Sequence, residues 1–212
     1  MNFTILGLIL INFLLTKKGF DDQHFFNKYK FHIGSIQSGE KYRMLSSGFL
    51  HVDWNHFIFN MLTLYFFGPF IIAHLGKFHF LLIYFTSLVV GNLISYKVHE
   101  REINYSAVGA SGAIMGIIYA TILLAPHSKI YFFFILPMPS YIFGLLYLLY
   151  SIYGLKNIQD GIGHAAHIGG AIAGYISILL LETSVFFHNK WIALLLLLPI
   201  LYFLYSIKTD KN

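Results

Sequence analysis

The sequence predicts an all-α fold: a polytopic transmembrane helix bundle with a six-helix core and a seventh, C-terminal helix. Three observations predict it. Of the 212 residues, 57% are hydrophobic and only 11% charged, against about 25% charged in a soluble domain, so there is too little charge to coat a water-facing surface. The apolar residues fall into long runs separated by charge-bearing breaks. Each run is continuous rather than alternating over about ten residues, so helices rather than barrel strands satisfy the backbone inside hydrocarbon.

The spans fall at roughly 2–16, 55–75, 78–96, 107–125, 137–155, 163–181 and 191–207. The first stretch, Met1 to Thr16, has no basic leader and no small-residue cleavage site, which makes it a retained span rather than a removed signal peptide. It is short against the roughly 17 to 25 residues that cross a bilayer. Residues 17–54 form the one long connection and hold six of the fourteen Lys and Arg. Its aromatics, among them Phe20, Phe25, Phe26 and Tyr42, place it against the membrane surface. The remaining connections are short, so successive spans run antiparallel. No linker divides the chain, and 1–212 reads as a single membrane domain, with the core at about 1–182 and the extra helix at about 191–207.

Several function classes drop out. The formal charge of +5 fits juxtamembrane Lys and Arg meeting anionic headgroups and not a nucleic-acid partner, because no basic helix or aromatic-interleaved basic run is present. The chain has no Cys, which excludes disulfides, thiolate metal sites and a cysteine nucleophile. No internal repeat is evident and no span carries an acidic residue for ion coupling, both of which weigh against a transporter. No cofactor is expected.

Polar groups inside spans are costly and carry the information. Three clusters stand out: His56-x-x-x-Asn60 in span two, Gly109-Ala110-Ser111-Gly112 in span four and His164-x-x-His167 in span six. Spans two, four and six all start from one face. His56, Asn60, Ser111 and His167 lie within the first six residues of their spans, roughly 2 to 8 Å deep at a 1.5 Å rise per residue. Residues His167, Gly170, Ala171 and Gly174 share a face of span six, and span four carries Gly112-x-x-x-Gly116, so small residues can bring the two backbones close. A hydroxyl beside an imidazole is the pairing that activates a serine nucleophile. His56, the Asn60 amide and the Ser111 N–H could face the oxyanion. No carboxylate lies in these spans to complete a triad, and Asp53 and Asp160 flank them, so a dyad is expected. Each motif alone has an ordinary packing explanation: serine bonding back to the carbonyl four residues earlier, or His and Asn bridging helices.

Taken together, His56-Phe57-Ile58-Phe59-Asn60, Gly109-Ala110-Ser111-Gly112 and Ala166-His167-Ile168-Gly169-Gly170 resemble the rhomboid family of intramembrane serine proteases over roughly residues 40 to 180. The resemblance implies a Ser111 nucleophile and a His167 general base, with His56, Asn60 and the Ser111 amide as the oxyanion hole. It implies structural support from His51, Gly109, Gly112, Gly170 and Gly174, and a substrate-binding or helix-holding role for His164. Substrates would be transmembrane proteins within the lipid bilayer, and the setting an integral, multi-pass position in a bacterial inner membrane. The chain departs from the family at Tyr42-Arg43, where a Trp-Arg pair is usual, at Ile72 in place of a glutamate, and at Met115 in place of an aromatic residue. Two other readings compete. One is a rhomboid-like pseudoprotease that binds membrane clients; the other is a metalloenzyme using His51, His56, His164 and His167.

Overall fold

The computed structural model describes residues 2–132, 135–157 and 161–209, and these form a helical bundle. Helix α1 spans Phe3–Asp21, and the first loop folds into three short helices: α2 (Gln23–Tyr29), α3 (Ile33–Gln37) and α4 (Arg43–Ser46). The bundle continues with α5 (Trp54–Val98), α6 (Ser111–Leu124), α7 (Ser140–Asn157), α8 (His164–Leu181) and α9 (Ser184–Thr209). Among the described helices, α1, α5, α8 and α9 are long and apolar enough to cross a membrane. The chain is an all-α, multi-pass integral membrane protein.

Spans two and three are the arms of α5, which reverses at Gly76 (φ 83°, ψ 168°), a left-handed conformation open to a residue without a Cβ. The two arms and α8 enclose α6, whose residues Gly112 to Leu123 are all buried. Glycine makes that enclosure tight. A Cβ on Gly91 would lie 2.6 Å from the Ala166 carbonyl oxygen, and one on Gly169 would lie 2.8 Å from Gly91 Cα. Gly170 and Gly174 press still closer, against the carbonyls of Gly112 and Gly116. This small-residue seam aligns α6 with α8.

Several boundaries differ from the sequence expectation. Span one runs five residues past 16, to Asp21, which removes its apparent shortness. Span four starts at Ser111 rather than 107, because residues Ser106–Ala107 form strand β2 against β1 (Phe31–His32) and Gly109 has φ +133°, which no helix continues through. Span five starts at Ser140 rather than 137, because Leu136–Pro139 pairs as β4 with β3 (Lys129–Phe132). Span seven begins early, at Ser184, and bends at Asn189.

The first loop is tied down from within. Arg43, buried, donates from Nη1 to the carbonyls of Asn27 (2.8 Å) and Lys30 (2.9 Å), and from Nε to Glu40 Oε2 (2.6 Å). That hydrogen bond holds the Glu40 carboxyl below its usual range. Asn92 of α5 donates to the Met44 carbonyl at 2.7 Å. The Tyr42-Arg43 departure therefore leaves the loop anchored.

Candidate active site

Ser111 is the first residue of α6, not the fifth of a longer span, and its helix is short. Fourteen residues rise roughly 21 Å, less than the roughly 30 Å of hydrocarbon, so α6 is too short to reach both bilayer surfaces. The first intrahelical bond of α6 runs from the Ile114 N–H to the Ala110 carbonyl. The N–H groups of Ser111, Gly112 and Ala113 thus precede the helical ladder and concentrate positive potential beside the hydroxyl.

The dominant contact is between helices. Ser111 Oγ lies 2.6 Å from His167 Nε2, across the α6–α8 seam. The other ring nitrogen, His167 Nδ1, lies 2.7 Å from the Tyr147 hydroxyl of α7.

His56 reaches the same place from α5. Asp53 caps that helix by accepting the His56 N–H at 2.7 Å, so Asp53 is engaged as a cap and not as a triad acid; Asp160 lies outside the described residues. A Cβ on Gly109 would lie 2.7 Å from His56 Cε1, 2.8 Å from Nε2 and 3.6 Å from Ser111 Oγ. Glycine at 109 is what leaves room for the imidazole beside the hydroxyl. Asn60 Nδ2 donates one hydrogen to the His56 carbonyl at 2.8 Å, and the amide carries a second.

His51 supports the backbone immediately before Ser111. Its Nδ1 lies 2.8 Å from Thr16 Oγ1, the Thr16 hydroxyl donates to the Phe49 carbonyl at 3.1 Å, and Nε2 accepts the Ala110 N–H at 3.5 Å. With the Thr16 proton committed to Phe49, Nδ1 of His51 donates and Nε2 accepts. That is one neutral tautomer. Burial, reinforced by His56, pushes the His51 pKa down to about 3. His164 is buried beside Tyr150, with ring centroids 5.3 Å apart, and packs against Gly154 of α7. Sequence reasoning missed Tyr147 and Thr16. Tyr147 is one of fifteen tyrosines, on an odd-numbered span that the depth comparison left out.

Two hollows meet at Ser111 and His167. A cavity of about 620 Å³ is lined by His56, Asn60, Asn92, Tyr150 and His164 as well as the pair. A second, of about 360 Å³, lies between the first arm of α5 and α7, where Phe59, Phe66, Ile118 and Phe143 make it apolar. Met115, at the position of a family aromatic, lines this second hollow together with His167. The His51 and His56 rings pack against each other, with centroids 5.0 Å apart, and among the described residues no group of three or more His, Asp or Glu converges as a metal site.

Residues 38–184 match the family model of the Rhomboid domain. The chain belongs to the rhomboid family. Among similar proteins, "RHOMBOID-like protein 12, mitochondrial" of Arabidopsis thaliana is 27% identical over 191 residues, 82% of this chain and 56% of that protein. "Rhomboid protease AarA" of Providencia stuartii is 31% identical over 198 residues, 82% of this chain and 70% of that protein. "Putative rhomboid protease YdcA" of Bacillus subtilis is 37% identical over 82 residues, 39% of this chain and 40% of that protein. The chain thus spans about half the length, or less, of several rhomboid relatives that it matches.

Proposed function

We propose that this rhomboid is an intramembrane serine endopeptidase that cleaves transmembrane segments of membrane proteins with a Ser111–His167 dyad. The observation that carries the reading is the 2.6 Å contact between Ser111 Oγ and His167 Nε2 where two hollows meet, the first the more polar of the two. In the proposed reaction Ser111 Oγ attacks the scissile carbonyl carbon while its proton passes to His167 Nε2. The Ser111 N–H, His56 and the second Asn60 N–H stabilise the oxyanion. Collapse breaks the C–N bond, and the leaving amine takes the proton from His167 Nε2. Water from the polar cavity then attacks the acyl-enzyme, with His167 again accepting a proton, and Ser111 is regenerated.

The surroundings support the proposed substrate class. The apolar hollow between α5 and α7 suits a membrane-embedded peptide, and a helical segment must unwind there before its carbonyl is accessible, which favours small or helix-breaking residues at the cut. The proposed host membrane is a bacterial cell membrane, on the relatives from Providencia stuartii and Bacillus subtilis; other relatives are named mitochondrial or chloroplastic, so fractionation of the native source is the deciding measurement.

Incubation of the purified chain with a panel of single-span substrates tests the activity. Wild type is expected to cleave, and Ser111→Ala and His167→Ala to lose cleavage by a factor of about a thousand or more. Fluorophosphonate labelling is expected to depend on Ser111. Equal cleavage by wild type and Ser111→Ala would end the serine-protease reading; binding of substrates without labelling or cleavage would favour a pseudoprotease.

A further inference from the structure

We infer that Tyr147 is a positioning residue for His167, occupying through its phenolic oxygen the place that a carboxylate holds in a Ser-His-Asp triad; this rests on the proposed dyad. The Tyr147 hydroxyl is 2.7 Å from His167 Nδ1, and Ser111 Oγ is 2.6 Å from Nε2. Both nitrogens of one imidazole are therefore engaged, by side chains from two other helices.

The proton count fixes the direction of each bond. For Nε2 to accept the Ser111 proton it must first carry a lone pair, so in the neutral ring the hydrogen sits on Nδ1. That Nδ1–H then donates to the Tyr147 oxygen. Once the serine O–H bond breaks and its proton moves to Nε2, the ring is an imidazolium with two N–H donors. Tyr147 Oη remains the acceptor for Nδ1–H, and Nε2–H later supplies the leaving amine. The opposite tautomer, with the Tyr147 O–H donating to Nδ1, leaves Nε2 protonated and unable to accept. A phenol oxygen is a weaker acceptor than a carboxylate and adds no full negative charge at this depth, where an unpaired carboxylate would be expensive.

The Tyr147 ring also has an apolar role. It stacks on Phe143 of α7, with centroids 5.9 Å apart, and lines the apolar hollow. The polar and apolar roles separate experimentally. Tyr147→Phe keeps the ring and removes only the oxygen. We expect kcat to fall about 10- to 100-fold while KM stays within about twofold. Fluorophosphonate labelling of Ser111 should slow in parallel. A role confined to packing or substrate access would move KM and leave the labelling rate intact.

Site-specific fluorotyrosines at 147 preserve the fold even if the Phe variant does not. Measured below the pH at which these phenols titrate, cleavage should decline as ring fluorination weakens the oxygen as an acceptor. A rate that rises with fluorination would make the hydroxyl a donor to Nδ1 and overturn the inference. So would wild-type kcat and labelling in both the Phe and fluorotyrosine proteins, alongside an inactive Ser111→Ala. If Ser111→Ala itself cleaves, the dyad reading has failed, and the inference about Tyr147 with it.

Discussion

His51 illustrates how one side chain can hold a site without touching a substrate. Its ring is fully buried and links Thr16 of α1 to the Ala110 N–H, immediately before Ser111. In the unfolded chain the imidazole protonates near its ordinary value of 6.5; in the fold burial lowers this to about 3. Between those values the unfolded state binds more protons, so the contribution of His51 is intact above about 6.5 and declines as the pH falls towards about 3. Thermal unfolding in detergent should therefore become easier on acidification through that window. His51→Asn should be less stable at neutral pH, with a flatter acid slope than wild type. A variant whose slope matches wild type would remove His51 as the source. At this scale the sequence was informative where polar residues stood in apolar runs: His56, Asn60, Ser111 and His167 all reach one locality. Tyr147 and Thr16 were not legible, because a tyrosine or threonine in a membrane helix is ordinary and only the packing of α7 and α1 places them at the histidines.

The elements are held by approach distance rather than by amphipathic faces, since α6 is buried on all sides and water has no part in ordering it. Association of helices in lipid then depends on close van der Waals contact, which small residues permit. Gly170 and Gly174 set the limit, because a Cβ on either would run into the backbone of Gly112 or Gly116, and backbone cannot rotate away as a side chain can. Gly174→Ala should cost about 1 to 3 kcal/mol through overpacking. In unfolding titrations of the detergent-solubilised protein this would read as a lower midpoint, and a value unchanged from wild type would mean that the α6–α8 seam opens freely. Activity should fall with it, because α6 carries Ser111 and α8 carries His167. The G-x-x-x-G spacing made this seam legible in the sequence. The starts of spans four and five were not. Apolar composition continues through Val108 and through Leu136 to Pro139, and only strand pairing, of β2 with the distant β1 and of β4 with the neighbouring β3, together with the positive φ of Gly109 starts the helices later than hydropathy would.

For the whole molecule, charge and family resemblance pull the orientation in opposite directions. With the N-terminus in the cytoplasm, as the rhomboid resemblance implies, eleven of the fourteen Lys and Arg fall on the face where the Ser111 cavity opens, and Lys77, Lys129 and Lys190 fall on the other. The positive-inside tendency prefers the reverse. The fold weakens that objection. Lys17, Arg43 and Lys97 are paired with Asp21, Glu40 and Glu100 on the same face. Much of the basic loop is folded around Arg43 as structure, so fewer free cations remain to hold it in the cytoplasm. The chain lacks Cys, so single-cysteine variants report position without background. Lys41 and Lys77 are both exposed, on opposite faces. In bacterial spheroplasts an impermeant maleimide should label Lys41→Cys directly and Lys77→Cys only after permeabilisation. The reverse pattern would put the cavity and its proposed cleavage on the cytoplasmic side, with the basic first loop following the charge rule after all.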